Sequence, residues 1–307
     1  MRRGRAGRRT WVALAAVTLA LPGAGVAAAT VRPLASPFGG GVVGPRFVSG
    51  NHSDLAKLRV RPSRDGRSAL LFASLNSRCE GIGSITAEPP AQTVRIRRDG
   101  SFAARGSIGE DVGGGERLDG AFSLSGRFTS RARVVVTGHA RFVLTTADGV
   151  RHRCDSGYKR MTAVVPSAPG LSGARARGAS YFGVTSQDSG LVPGTRLPLS
   201  LRVSGDGRRV AQTQIEWNGS CQSGQGTGGS TVSPPMRIRR DGSFSFVERY
   251  RNEYTDTVEE YTSQPRGRFG PRSVTGTWRI AYVERRRSDG AIIDRCDTGP
   301  IRWRAAR

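Results

Sequence analysis

The chain has 307 residues and a formal net charge of +24, from 48 lysines and arginines against 24 aspartates and glutamates. Such a charge ordinarily points to a polyanion or a membrane surface, but here it is spread evenly: residues 47–165 carry 19 basic and 11 acidic side chains, residues 180–307 carry 20 and 13. Charge by itself therefore predicts a solvated arginine surface and no specific nucleic-acid binding, and only Lys57 and Lys159 are lysines.

The N-terminus reads as an export signal. Met1 to Thr10 hold five arginines and no acid, Val12 to Leu21 form a short apolar run, and Ala27-Ala28-Ala29 supplies small residues for cleavage. About ten apolar residues are too few to span a bilayer, which takes roughly 20. Residues 1–29 are thus expected to be a signal peptide cut near Ala29, giving a secreted chain with no transmembrane segment. Arg8-Arg9-Thr10-Trp11-Val12 resembles a twin-arginine signal, which leaves that route and the general one both open. Residues 30–46, with Gly39-Gly40-Gly41, read as a flexible leader.

A duplication follows. Arg95-Ile96-Arg97-Arg98-Asp99-Gly100-Ser101-Phe102 recurs letter for letter as Arg237 to Phe244. Cys79 and Cys154 return at the same offset as Cys221 and Cys296, and Arg153-Cys154-Asp155-Ser156-Gly157 returns as Arg295-Cys296-Asp297-Thr298-Gly299. Self-similarity at one fixed period marks two copies of one unit: residues 47–165 and 181–307. Residues 166–180, rich in Gly, Pro, Ala and Ser, read as a linker that uncouples them.

Inside each unit the period is two. Val94-Arg95-Ile96-Arg97, Trp278-Arg279-Ile280 and Ile301-Arg302-Trp303-Arg304 alternate apolar and charged residues, as a strand with one buried face does. Asp-Gly pairs at Asp65, Asp99, Asp119, Asp148, Asp206, Asp241 and Asp289 read as tight hairpin turns with positive φ at both central residues. No 3.6 period appears. The expectation is all-β: about eight antiparallel strands per unit, as an up-and-down barrel or a sandwich. No tryptophan follows Cys79 or Cys221 at the immunoglobulin distance. The economical disulfides are Cys79–Cys154 and Cys221–Cys296, one per copy.

Catalytic material is scarce. The three histidines, His52, His139 and His152, all lie in the first copy and have no metal-ligand spacing. The cysteines lack C-x-x-C spacing. No cofactor and no metal site is expected.

Asp155-Ser156-Gly157 and Asp297-Thr298-Gly299 resemble the D-[ST]-G signatures of pepsin-like aspartic proteases, and the resemblance implies a dyad of Asp155 and Asp297. That family carries the signature early in each lobe, whereas here it falls at the end of each unit beside a cysteine. The local reading is an Asx turn. A second candidate is the hairpin 248–261, with Tyr250, Glu253, Tyr254, Asp256, Glu259 and Tyr261 as binding residues. Its counterpart Gly109–Glu116 has no aromatics. Trp217, Trp278 and Trp303 share faces with isoleucines and are assigned to the core. The sequence thus points to a secreted, non-enzymatic binding or structural module whose partner is an anionic cell-envelope polymer, a glycan or another protein. The alternative is a hydrolase using Asp155 and Asp297 or the acidic hairpin.

Overall fold

The computed structural model describes residues 31–44, 55–190 and 192–307. The expected signal peptide and His52 lie outside them. The described residues form strands joined by turns, without a helix, so no helix among them is long and apolar enough to cross a membrane.

The first copy contains β1 (Phe38–Val42), β2 (Ala56–Pro62), β3 (Ser68–Cys79), β4 (Gly83–Ala87) and β5 (Gln92–Arg95). It continues with β6 (Ser101–Gly113), β7 (Glu116–Ser130), β8 (Arg133–Thr145), β9 (Arg151–Asp155) and β10 (Lys159–Val164). The second contains β11 (Ser180–Asp188), β12 (Arg196–Val203), β13 (Arg209–Cys221), β14 (Gly226–Ser233), β15 (Met236–Arg237) and β16 (Ser243–Ser245). It ends with β17 (Glu248–Glu253), β18 (Thr257–Phe269), β19 (Val274–Arg286), β20 (Ile292–Asp297) and β21 (Ile301–Ala306).

Each copy closes a ring of six strands. In the first, β10, β1, β2, β3, β9 and β8 pair in that order and β8 pairs back with β10. In the second the ring is β21, β11, β12, β13, β20 and β19. The barrel alternative therefore holds, with additional strands: β7 and β6 extend the sheet outward from β8, as β18 and β16 do from β19. Ten and eleven strands replace the expected eight, because edge pieces such as β4, β5 and β15 count separately and one strand of each ring is broken.

That break is where the repeated motif sits. One edge of β8 serves both β10, along residues 133–138, and β9, along residues 141–145. Asp155-Ser156-Gly157 turns the chain between the two pieces. Ser156 N donates to Ala140 O at 3.0 Å, and Ala140 N donates to Ser156 Oγ at 2.9 Å, so the hydroxyl carries the ladder across the corner. Ile280 and Thr298 repeat both bonds in the second copy. Gly157 and Gly299 share a φ of 61°, a region open to glycine at no steric cost. The break lets β9 join β3 while β10 joins β1, which closes the barrel.

The disulfides are as expected, Cys79–Cys154 and Cys221–Cys296. Each links directly opposed residues in the shortest seam of its ring: β3 meets β9 over two residue pairs, and β13 meets β20 over two. Each interior is filled by alternate residues, including Phe38, Leu58, Leu75, Phe128 and Met161 in one barrel, and Tyr181, Leu199, Trp217, Trp278 and Trp303 in the other.

Three local expectations are corrected. In six of the seven Asp-Gly pairs the glycine alone has positive φ, and no described residue other than glycine does. At five of these the turn is instead an i to i+3 bond closed onto a left-handed glycine, as in Gly100 N to Arg97 O at 2.9 Å, and at Asp289-Gly290 the bond runs from Gly290 N to Arg286 O. In all six the Asp carboxylate accepts the N–H two residues on. The seventh, Asp119-Gly120, lies inside β7, where a Cβ on Gly120 would fall 2.1 Å from Arg141 O.

The leader is not a loose tail over residues 38–42: those residues are β1, held between β10 and β2. Nor does the linker uncouple the copies. Ser172 and Arg307 exchange backbone bonds, and Tyr181 Oη donates to Ala174 O at 2.5 Å. Ala168 and Leu171 pack on the first core.

The barrels also pack directly on each other. β1 lies against β11 and β12, and β2 against β12. A Cβ on Gly39 would fall 2.4 Å from Gly183 O, so the bare glycine lets the two backbones approach. β2 from Ala56 to Val60 and β13 from Val210 to Trp217 are buried on both faces. At the centre lies an ion cluster. Lys57 Nζ is 2.8 Å from Glu216 Oε1, and Arg59 donates to Glu216 Oε2 and, at 2.7 Å, to Ser189 Oγ. Arg59 also stacks on Phe72 with its guanidinium carbon 4.6 Å from the ring centroid. All three charged side chains are buried. Burial raises the Glu216 carboxyl, but the two cations outweigh it and hold the group ionised.

Candidate functional site

The D-[ST]-G carboxylates are the first candidate, and each is engaged within its own barrel. Asp155 Oδ1 accepts the Gly157 N–H at 2.7 Å and lies 2.9 Å from His139 Nε2, while Oδ2 accepts from Arg141 at 2.8 Å. Asp297 accepts the Gly299 N–H at 2.7 Å and both forks of Arg279. Partial burial raises Asp155, but the Gly157 N–H, Arg141 and His139 outweigh it and bring the carboxyl to about 2. Arg279 lowers Asp297, against some burial. Two carboxylates sharing a proton require one of them to be raised; here both are lowered.

A pH signature follows for Asp155. A carboxyl depressed to about 2 adds stability that is complete above its unfolded value near 3.8 and is lost as pH falls through about 2. The side chain is 46% exposed, so solvent screening reduces the effect to about 1 kcal/mol. Asp155→Asn, which keeps the turn acceptor, is expected to unfold at lower urea than wild type at pH 7 and to converge on it near pH 2. A gap unchanged at pH 2 would show the carboxylate charge to be irrelevant.

The hairpin is the second candidate. Its tyrosines fall in one cross-strand row, Tyr250–Tyr261–Tyr282–Cys296–Cys221, and the first copy carries Ile108–Gly120–Phe142–Cys154–Cys79 there. Tyr250 and Tyr261 stack with centroids 4.7 Å apart and planes at 5°, and Tyr261 stacks in turn on Tyr282. Their faces therefore meet each other. Glu259 accepts from Tyr261 Oη at 2.9 Å and Tyr254 Oη at 3.1 Å. Glu253 pairs with Arg251 and Arg287, and Asp256 accepts the Arg287 N–H through its carbonyl. Tyr254 remains half exposed. The structure brings these residues together, with Glu259 engaged by two tyrosines and Glu253 by Arg251 and Arg287.

Equivalent clefts adjoin the two disulfides. The one beside Cys79–Cys154 is about 900 Å³ and the one beside Cys221–Cys296 about 450 Å³. Gly120 in place of Tyr261 leaves the first more open. Arginines and carboxylates alternate around both rims, including Arg141, Arg153, Asp119 and Asp155 in the first. Among the described residues, the one group spaced for a metal is Cys221, Asp294 and Cys296, and its two sulfurs are bonded to each other.

A further cleft, about 850 Å³, lies between the barrels, and its charge is of one sign. Ser36, Pro37 and Val165 to Ser167 form one wall; the outer face of β11, β19, β18 and β21 forms the other. Arg196, Arg266, Arg268, Arg302 and Arg304 line it, with no carboxylate. Register explains the concentration. Arg266 opposes Thr277, which opposes Arg302, and Arg268 opposes Thr275, which opposes Arg304. Alternate residues of a strand share a face, so two rows each place a threonine between two arginines. Arg268 lies 3.8 Å from Asp241, and Arg196 lies 3.4 Å from Asp188. The guanidiniums of Arg266, Arg302 and Arg304 have neither ion pair nor hydrogen bond among the described residues. Trp303 also lines the cleft, 4% exposed, and its Nε1–H is buried without a partner.

No protein-family model, curated protein or solved structure matches the chain.

Proposed function

We propose that the chain is a secreted, non-enzymatic binding module that acts outside the cytoplasm after its N-terminal signal is cut near Ala29. The observation that carries this reading is the arginine-lined cleft: its largest unneutralised groups are cations suited to hold an anion, while Asp155 and Asp297, the pair open to a hydrolytic role, are each tied to an arginine. The basic head, apolar run and Ala-Ala-Ala end of residues 1–29 support export, and two disulfides suit an oxidising compartment.

The test is direct. Purified secreted protein should begin near Thr30 on N-terminal sequencing and should leave unfolded casein uncut across acid pH. Pepstatin-sensitive cleavage that disappears in Asp297→Asn would overturn the reading in favour of the hydrolase.

A further inference from the structure

The geometry points to a ligand class for the inter-barrel cleft: a linear phosphate-bearing polyanion lying along β19 between the guanidinium rows of β18 and β21. This rests on the reading of the chain as a binding module and goes further by naming the site and its chemistry.

Neighbouring strands lie about 4.8 Å apart, so the arginine stems of β18 and β21 stand roughly 10 Å apart across β19, and each two-residue step along a strand advances about 7 Å. The result is a trough floored by the hydroxyls of Thr275 and Thr277 and flanked by guanidiniums at each step. Donors reach a seated anion from both sides and from below. A planar carboxylate holds both of its oxygens in one plane, where a single arginine fork engages them together. A phosphate within a chain is tetrahedral, so its two non-bridging oxygens diverge from the backbone and meet donors from both sides of the trough. Single-stranded nucleic acids are held by stacking their bases on aromatic side chains as well as through their phosphates. The one tryptophan of the cleft is buried, and a Cβ on Gly276 would lie 2.4 Å from its ring. Nothing there receives a base.

Duplication separates this site from the general basicity of the chain. At the same register the first copy reads Ser125–Thr137–Arg160 and Arg127–Val135–Thr162. Two arginines replace four, although residues 47–165 and 180–307 carry almost equal net charge. Arg266 and Arg304 are the cations that the second copy adds.

Affinity of the whole secreted protein is measured for three chains matched in charge: inorganic polyphosphate, poly-L-glutamate and oligo-dT, at 50 and 200 mM salt. Arg266→Ser/Arg304→Thr installs the residues of the first copy. Arg97→Ser/Arg105→Ser removes the same charge from an exposed face of the first barrel. Polyphosphate is expected to bind tightest. The cleft pair should lose about tenfold in affinity and lower the salt slope by about 2, and the control pair should change by less than about twofold. Equal losses from the two pairs would reduce the effect to overall charge and overturn the proposal. So would poly-L-glutamate or oligo-dT binding as tightly as polyphosphate, or no binding of polyphosphate. None of these results bears on the casein test, so the two readings fail separately.

Discussion

Glu216→Ala is expected to destabilise the protein by about 3–5 kcal/mol, the cost of stranding buried cations without their counter-ion. Lys57 and Arg59 come from one barrel and Glu216 from the other, with side chains 8%, 5% and 5% exposed. Without Glu216, two positive charges would face each other in the junction, and Ser189 and Phe72 alone would remain for Arg59. The loss should appear as a lower urea midpoint followed by tryptophan fluorescence, which reports the second barrel because Trp217, Trp278 and Trp303 all belong to it. Lys57→Met/Arg59→Leu/Glu216→Leu removes every charge of the cluster at similar volume. It should recover most of the stability, since an apolar replacement of a complete buried cluster is often neutral. If the triple variant were as unstable as Glu216→Ala, lost packing rather than unpaired charge would be responsible.

Cys221→Ala/Cys296→Ala is the second large effect. Each bridge spans 75 residues, and cross-linking a loop of that size stabilises by about 4 kcal/mol in the chain-entropy model. The position adds to the consequence, because β13 and β20 meet over only two residue pairs and the bridge is one of them. The double variant should therefore melt about 10 °C lower. Its first barrel should be affected as well, since the junction joins both. A first barrel whose melting is unchanged would show the two to be uncoupled.

The repeat, the alternation and the cysteine frame were legible because each is local or recurs at one offset, and they give the all-β class, the two copies and the disulfides. What lay beyond them is non-local. Period two states which residues share a face but not what covers it: Lys57 and Arg59 read as solvated, yet they meet a carboxylate 157 residues or more away. Gly39-Gly40-Gly41 read as slack because glycine is permissive, whereas the same missing Cβ allows two barrels to touch. The D-[ST]-G motif drew attention as chemistry and proves to be the corner that breaks one strand into two. Part of the arginine cleft was written openly, as Arg266-x-Arg268 and Arg302-x-Arg304. Their convergence on Thr275 and Thr277 depends on register across β18, β19 and β21, which spacing along the chain does not supply.

The packing of two closed barrels into one body holds the cleft in shape, since one of its walls comes from each copy. Scanning calorimetry of the intact, oxidised protein measures that packing most directly. One cooperative transition is predicted, with a calorimetric enthalpy equal to the van't Hoff value, splitting into two when Glu216 is replaced by Ala. Two well-separated transitions in the wild-type protein would contradict the account, because barrels that unfold independently could not maintain a cleft between them.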